Sequence, residues 1–416
     1  MKSSNIIKLI IIAAMVIILL SVILRINGKE SPGKNRSPSV KIIVATDLHY
    51  IASDLTDHGE YFQNMLDNGD GKIIHYIVEI TDAFIEEMLK EAPDALILTG
   101  DTTFNGAKRS HIELAEKMKR LTDEGITVLT LPGNHDLYSS NAASFSGDSF
   151  EFVENTDSES FESIYRDFGY GDALASDKYS SSYIYQLTDD LRILLVDVNT
   201  KQAPGWITQK TLEWVEDQLI QAAEDEVKVI AASHQTVLEH SSQFSFGFVM
   251  GNNEKLLALY EQYGVIMNLS GHMHIQHISQ SKNGFTEIVT SALSVTPVQY
   301  GVIELNEREI NYHTRATDLS SVRFEGNDEN FPYRYFWNLS YEKVYGQIED
   351  ETDAPSLAEF FADVNTAYFT GTVDSIDWDD PKAARWKEMD LFVSRYFSSI
   401  EEERGTNHNT LSISFE

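Results

Sequence analysis

The 416-residue chain contains no cysteine, and its acidic residues outnumber its basic ones about two to one. Without cysteine the protein has no disulfide, no thiolate metal ligand and no lipid attached through a thiol. The 32 lysines and arginines against 65 aspartates and glutamates give a formal net charge of -33. Such a surface repels nucleic acids and acidic membranes, so we expect no nucleic-acid polymer as a partner. A small phosphate ester remains compatible with this negative charge, because metal cations bound at a site dominate the electrostatic field around that site.

One long apolar run lies near the N-terminus. Residues 9–24 are almost uniformly apolar and follow Lys2 and Lys8, which predicts a transmembrane signal anchor over residues 1–26. A cleaved signal peptide is the alternative, although no A-x-A-like cleavage site follows. Residues 27–39 contain two prolines and read as a linker. We therefore expect a single-pass protein of the cell membrane with its main body outside the cell, or a secreted protein if the segment is cleaved.

From residue 40 onwards the apolar pattern alternates between strands and helices. Short apolar runs at 42–45 and 95–98 are typical of strands buried on both faces, and helical spacing between 73 and 89 predicts a connecting helix. A second helix is predicted to begin at Ser110, with Glu113 completing a capping box. Further strands are predicted at 183–187, 192–197, 227–232, 265–269, 285–290, 298–305 and 309–314.

The early strands are expected to be parallel and the last three antiparallel. Two sheets packed face to face with helices outside accommodate both halves, which predicts an α/β fold of the four-layer αββα type. Residues 40–315 would form this domain, and residues 138–182 would form a long loop or small subdomain within it. Helical patterns after residue 315 predict a mostly helical C-terminal domain over 316–416.

Five short polar motifs each follow an apolar run, so each is expected on a loop that leaves a buried strand. Carboxylate and amide oxygens suit hard divalent cations, and imidazole nitrogens add affinity for manganese, iron, cobalt or zinc. The motifs therefore indicate a metal site. They are Asp47-Leu48-His49, Gly100-Asp101, Gly133-Asn134-His135-Asp136, Ser233-His234 and Gly271-His272-Met273-His274.

In this order the motifs resemble those of the calcineurin-like metallophosphoesterase superfamily. The resemblance implies the four-layer sandwich and two divalent metal ions, of manganese, iron or zinc. Asp101 is the candidate bridge between the two ions. The other implied ligands are Asp47, His49 and His274 for one ion and Asn134, His234 and His272 for the other.

The chemistry expected of such a centre is phosphate-ester hydrolysis. Two cations activate a water as the nucleophile, and His135, beside the ligand Asn134, is expected to protonate the leaving oxygen as general acid. Asp136 is the second candidate catalytic residue. It either orients the His135 imidazole or bonds only the loop backbone.

The remaining histidines provide a comparison for the predicted ligands. His240 is a fallback ligand, because the motif around His234 departs from the Gly or second His that commonly precedes this residue in relatives. The other six are interpreted as surface or structural residues: His58, His75, His111, His277, His313 and His408.

Within the superfamily, Asp70-Gly71-Lys72 and the helical C-terminal extension look like those of exported bacterial enzymes related to cyclic-nucleotide phosphodiesterases. We therefore expect a small-molecule phosphate ester as substrate, with phosphodiesters such as cyclic nucleotides first. The alternatives are a phosphomonoesterase, a hydrolase of envelope or lipid-linked phosphates, and an anchored metal-binding module without catalysis.

Overall fold

The computed structural model describes residues 39–349, 351–389 and 391–415. The predicted signal anchor and the linker, apart from Ser39, lie outside these ranges. Within them, no helix combines the length and the apolar character that crossing a membrane requires.

The described residues form fifteen β-strands and ten α-helices. The strands are β1 (Val40–Ala45), β2 (Ala95–Leu98), β3 (Thr127–Thr130), β4 (Ala143–Ser146), β5 (Ser149–Phe152), β6 (Ala175–Ser176), β7 (Tyr183–Thr188), β8 (Leu191–Val196), β9 (Lys228–Ser233), β10 (Met267–Ser270), β11 (His277–Gln280), β12 (Thr286–Val289), β13 (Gln299–Leu305), β14 (Glu309–Ala316) and β15 (Thr410–Ser414). The helices are α1 (Glu60–Asp67), α2 (Ile77–Glu91), α3 (Lys108–Asp123), α4 (Ser158–Ile164), α5 (Gln209–Glu224), α6 (Asn253–Tyr263), α7 (Phe331–Tyr345), α8 (Ala354–Thr370), α9 (Pro381–Glu388) and α10 (Phe392–Glu401).

Two sheets organise the fold. A six-stranded sheet has the order β15-β14-β13-β1-β2-β3, and a seven-stranded sheet has the order β11-β12-β10-β9-β8-β7-β6. In the first sheet β1, β2 and β3 are parallel, and in the second β8, β9, β10 and β12 are parallel. Loops that leave the carboxyl ends of parallel strands meet at one edge, which is where α/β sheets bind ligands.

The side chains of β1 alternate between two cores. Ile43 and Ala45 pack in a cluster with α2 and α3, whereas Ile42 and Val44 pack with residues of the second sheet. On the far face of the second sheet, residues of β9 such as Val229 pack with α5 and α6. The layers are therefore helix, sheet, sheet, helix, and the predicted αββα sandwich is confirmed.

The predicted pairing of the last three strands is wrong for β12. This strand lies in the seven-stranded sheet, parallel to β10 and antiparallel to β11, whereas β13 and β14 pair in the other sheet. Strand β11 was not predicted, because its His-Ile-Ser-Gln segment has only one apolar residue. Strand β15, which pairs with β14 at the sheet edge, was not predicted either.

The predicted capping box at the start of α3 is also wrong. The helix begins at Lys108, so Ser110 lies inside it, where its hydroxyl accepts a hydrogen bond from the Ala52 N–H at 3.0 Å. Glu113 accepts a hydrogen bond from the Tyr50 hydroxyl at 2.7 Å. The two residues therefore tie α3 to the loop that follows β1.

The C-terminal helices belong to the same compact unit as the sandwich. They form an apolar cluster that includes Met273 and Ile275 from the loop after β10. Helix α7 also approaches the loop before α2, because a Cβ on Gly71 would lie 2.5 Å from the ring of Phe336. The helical region thus packs close to the predicted metal ligands.

Candidate metal centre

The structure brings the seven predicted metal ligands together at the carboxyl ends of five parallel strands. Each ligand lies within four residues of the end of its strand, so the sheets fix where the loops begin. Asp47 and His49 follow β1, Asp101 follows β2, Asn134 follows β3, His234 follows β9, and His272 and His274 follow β10.

One half of the centre consists of Asp47, His49 and His274. The Nε2 atoms of the two histidines lie 3.2 Å apart, and the Oδ1 atom of Asp47 lies 3.6 Å from His49 Nε2 and 3.2 Å from His274 Nε2. This carboxylate oxygen is buried and accepts no hydrogen bond. Buried polar atoms rarely lack a partner, so the convergence fits a bound cation.

The other half contains Asp101, Asn134, His234 and His272. The Nε2 atom of His234 lies 3.3 Å from Asp101 Oδ2 and 3.1 Å from Asn134 Oδ1. Ligand atoms of Asp101, His234 and His272 all lie within 4.8 Å of one another. The same Asp101 oxygen lies 3.9 Å from His49 Nε2, so it faces both halves.

Backbone carbonyls orient two of the imidazoles. The Nδ1–H of His234 donates to the Thr99 carbonyl at 2.8 Å, and the Nε2–H of His272 donates to the Gly247 carbonyl at 2.9 Å. When the rings are neutral, these bonds leave the free lone pairs on His234 Nε2 and His272 Nδ1. Such hydrogen bonds fix the tautomer of a metal-ligating histidine.

Asp70 is a further residue of the centre, to which the sequence analysis assigned no role. Its Oδ2 atom lies 3.5 Å from His274 Nδ1 and 2.6 Å from the Lys72 ammonium. Burial alone would raise the pKa of Asp70, but His274 and Lys72 outweigh burial and hold that pKa far below its usual range. The available signal was the Asp70-Gly71-Lys72 motif, which the analysis used only to place the chain in a subgroup.

The carboxylates of the centre favour positive charge on two of its imidazoles. Burial lowers the pKa of His234, but Asp101 outweighs this effect and raises the pKa to about 9. Asp47 acts in the same way on His274, whose pKa also rises to about 9 against the effect of burial. Divalent cations would provide the same compensation, so their binding should release protons.

The backbone of the centre is unusual. Non-glycine residues seldom have a positive φ, and such conformations concentrate at functional sites. Five of the seven predicted ligands have one. They are Asp47 (52°), His49 (47°), Asp101 (45°), His272 (69°) and His274 (60°).

Two glycines allow the motif loops to approach closely. A Cβ on Gly133 would lie 2.2 Å from Asp101 Oδ1, and one on Gly271 would lie 1.9 Å from Thr46 Oγ1 and 2.5 Å from Asp47 Oδ2. These distances are far below van der Waals contact. The glycines of both motifs are therefore required by the packing of the ligand loops.

His135 lies at the edge of the centre with a partly exposed side chain. Its Nδ1–H donates to the Phe104 carbonyl at 2.9 Å, and its Nε2 lies 3.9 Å from Asp101 Oδ2. The carbonyl therefore orients the ring so that Nε2 faces the metal ligands. This position suits a proton donor to a group bound at the centre.

The hydrogen bonds of the Asp136 side chain go to residues other than His135. Its oxygens accept hydrogen bonds from the N–H groups of Thr102 at 3.0 Å, Thr103 at 2.9 Å and Gly133 at 2.9 Å. Asp136 therefore has the second of the two roles considered for it, because its carboxylate bonds the loop backbone. Its prediction as a catalytic residue is therefore corrected, since it is a positioning residue that joins the second and third motif loops.

His240 lies outside the metal centre. Its Nδ1 lies 2.8 Å from His277 Nδ1, and its Nε2 lies 3.2 Å from the buried Glu287. Both nitrogens are therefore engaged, and the fallback role as a ligand is wrong. His277 also belongs to a second group of possible metal ligands, with Glu403 and His408, which the sequence analysis did not predict.

Comparison with known proteins identifies relatives of this arrangement. The family model described as calcineurin-like phosphoesterase matches residues 40–276, more than half of the chain. The glycerophosphodiester phosphodiesterase GpdQ of Enterobacter lignolyticus (strain SCF1) is 26% identical over 216 residues, which cover 51% of this chain and 66% of that protein. The match thus spans just under two-thirds of that relative's length.

A solved structure has a similar fold. A dimetal phosphatase from Danio rerio superposes with a TM-score of 0.50 and 14% identity, over 67% of this chain and 96% of that chain. At this level of identity the likeness concerns the fold alone.

Proposed function

The chain belongs to the calcineurin-like phosphoesterase family, and on this premise we propose that it hydrolyses small-molecule phosphodiesters with two divalent cations. One observation carries the proposal. Asp101 Oδ2 lies between two groups of converging ligand atoms, 3.3 Å from His234 Nε2 and 3.9 Å from His49 Nε2. A carboxylate there suits the bridge that two neighbouring cations need. Manganese, iron and zinc all suit this mixture of imidazole, amide and carboxylate ligands.

The chain's own residues position the reacting groups. The backbone N–H of His135 donates to Asp101 Oδ1 at 2.7 Å, which leaves Oδ2 for the cations. The Phe104 carbonyl keeps the imidazole of His135 turned inward, so its Nε2 can hold the proton that a leaving alkoxide requires. When bound, the cations lower the pKa of a water and neutralise the phosphoryl oxygens.

The charge around the centre supports a diester over a monoester. A diester carries one negative charge, whereas a phosphate monoester carries nearly two at neutral pH. Lys72 is already paired with Asp70. Two cavities open beside the centre, one next to His272 and His274 and one next to His135. Among the described residues that line them, Lys343 is the only lysine or arginine, and its ammonium donates to the Gly69 carbonyl. The name of the GpdQ relative, a phosphodiester phosphodiesterase, points the same way.

The test compares a bis-aryl phosphodiester with the aryl phosphomonoester, using the full chain after chelation and manganese addition. We expect manganese to restore cleavage of the diester, and the diester to be preferred in kcat/KM. Cyclic nucleotides, which the subgroup resemblance favours, and glycerophosphodiesters, which the name of the GpdQ relative suggests, form the next panel. A preference for the monoester would indicate a phosphomonoesterase. Stoichiometric manganese binding without cleavage of either ester would indicate a binding module.

A further inference from the structure

A cavity of about 570 Å³ opens beside the metal centre, between the loop after β10 and the C-terminal helices α7, α8 and α10. We call it the C-terminal cavity. Its lining includes two predicted metal ligands, His272 and His274, and extends to Leu339 and Val393 on the helices. Its volume is within the range of sites that hold small molecules. A group bound to the cations could therefore extend directly into it.

The lining of the C-terminal cavity is mainly apolar away from the metal ligands. Aromatic and aliphatic side chains from four elements line it, among them Met273, Leu339, Val344, Phe361, Phe369 and Val393. Removing a hydrocarbon group from water into such a lining is favourable.

The polar side chains of the lining are already engaged with one another or with the backbone. The Asn365 amide donates to the Ser340 hydroxyl at 2.9 Å, and the Tyr396 hydroxyl donates to the Asn365 carbonyl oxygen at 2.7 Å. The Lys343 ammonium donates to a backbone carbonyl, and so does the Tyr368 hydroxyl. A nucleobase is recognised through polar groups that face its edge. The cavity therefore favours a hydrocarbon group over a base.

A second cavity, of about 450 Å³, lies on the His135 side of the centre and shares no lining residue with the first. We call it the leaving-group cavity. Its lining is mixed: aromatic rings such as those of Phe104 and Phe145 lie beside the polar side chains of Asn105, Asn134, Ser139 and Asn141, so it is more polar than the C-terminal cavity. Because the proton donor His135 lies here, the alcohol that departs should occupy this cavity.

Resting on the proposed function, we propose that the substrate is a mixed phosphodiester whose apolar alkyl or acyl group occupies the C-terminal cavity and whose polar alcohol leaves from the His135 side. Water adds its oxygen to phosphorus, and the bond from phosphorus to the polar alcohol's oxygen breaks. His135 protonates the departing oxygen and regains a proton from water through the solvent. The apolar group stays on the phosphate monoester that forms.

The first test uses a series of alkyl p-nitrophenyl phosphates with methyl, butyl and octyl groups, below their micellar concentrations and with manganese present. Each buried methylene should raise kcat/KM about fourfold, or on the order of tens-fold from methyl to butyl. Leu339→Asp and Val393→Asp, on two different helices of the cavity, should flatten this dependence, chiefly by lowering kcat/KM for the octyl ester. Ile220→Asp, a matched change on the half-exposed face of α5, should retain the full dependence.

The outcomes separate this inference from the proposed function. If no member of the series is cleaved, both are overturned. If all are cleaved at equal rates, or if the two cavity variants keep the dependence on chain length, only the present inference is overturned. The same holds if Leu339→Asp raises KM for a cyclic nucleotide but not for the octyl ester, because the cavity would then hold the base.

Product analysis gives a second, independent test. For a diester of glycerol and octanol, ³¹P NMR should detect octyl phosphate, with free glycerol as the other product. Glycerol phosphate and octanol would mean that the apolar alcohol leaves, and would overturn the assignment of the two cavities.

Discussion

Two clusters of histidines and carboxylates in this molecule have similar compositions but differ in the hydrogen bonds that their side chains make. One is the metal centre. The other, which we call the C-terminal histidine cluster, consists of His277, Glu403 and His408. Both bring two imidazoles and a carboxylate within 4.8 Å, so proximity alone does not distinguish them.

In the metal centre the inward ring nitrogens and side-chain oxygens lie within 3.1 to 3.6 Å of one another. Asp47 Oδ1 accepts no hydrogen bond, although it lies 3.2 Å from His274 Nε2. The hydrogens of His234 and His272 point outward to backbone carbonyls. Once His234 and His274 release their protons, the centre therefore presents lone pairs to a common point, which is the requirement for binding a cation.

In the C-terminal histidine cluster three of the four imidazole nitrogens have a hydrogen-bond partner, and only His408 Nε2 has none among the described residues. His408 Nδ1 accepts the Ile278 N–H at 3.1 Å, so a neutral ring carries its proton on Nε2, which lies 3.3 Å from Glu403. His277 Nε2 lies 3.0 Å from the same carboxylate oxygen. The two rings stack at 4.0 Å with planes 25° apart, so their Nε2 lone pairs cannot converge on one ion. We therefore expect the cluster to join the C-terminal segment to β11 without a metal.

The difference between the metal centre and the C-terminal histidine cluster predicts opposite results for two carboxylate substitutions. Asp101→Ala should lose bound manganese and lower kcat on a diester by on the order of 10³-fold or more, because it removes the carboxylate that would hold both cations. Glu403→Gln should keep both the metal and the rate. Metal content after loading and desalting, measured with the rate, checks both variants. If Glu403→Gln bound one equivalent of manganese less than wild type, the C-terminal histidine cluster would also be a metal site.

The role of His135 needs a separate test, because this residue also belongs to a group of possible metal ligands, with His49 and Asp101. If it is a proton donor, His135→Ala should slow diesters with an alkoxide leaving group by about 10²- to 10⁴-fold. It should slow p-nitrophenyl esters far less, because p-nitrophenolate departs without a proton. The metal content should stay unchanged. Equal slowing of both substrates together with metal loss would instead make His135 a ligand.

The sequence could predict the metal centre because each ligand directly follows an apolar strand, as Asp101 follows β2 and His234 follows β9. Strand ends are readable from apolar runs, and parallel strands bring their ends together. The predictions of the superfamily and of the αββα fold are confirmed. The roles assigned to individual ligands stay predictions, although the structure brings all seven together.

The rest of the site had no comparable sequence signal. The groups that orient His234 and His135 are the backbone carbonyls of Thr99 and Phe104, and any residue type could provide them. The C-terminal histidine cluster joins β11 to residues 126 or more positions later. No local pattern reports such a contact, and β11 itself lacks the apolar alternation of a strand.

The smallest predicted effect is a change in the pH dependence of stability. Burial, only partly opposed by Glu403, lowers the pKa of His277 to about 4 from its ordinary value of 6.5. The unfolded chain therefore binds a proton below pH 6.5 that the folded protein does not bind until about pH 4. The stability contributed by the neutral imidazole is complete above pH 6.5 and is lost as the pH falls towards 4, by up to about 1.4 kcal/mol per pH unit.

His277→Gln removes this titration and keeps a hydrogen-bonding side chain. At pH 7.5 the variant should be less stable by about 1 to 3 kcal/mol, because a buried hydrogen-bond partner of Glu403 is lost. The difference from wild type should narrow as the pH falls from 6.5 to 4.5, since only wild type loses the contribution of His277. Denaturant unfolding of the two chelated proteins at several pH values measures this difference in stability. Before chelation, wild type and variant should bind the same amount of metal. A difference that widens towards acid pH would mean that His277 is protonated in the folded protein, with both nitrogens donating within the C-terminal histidine cluster.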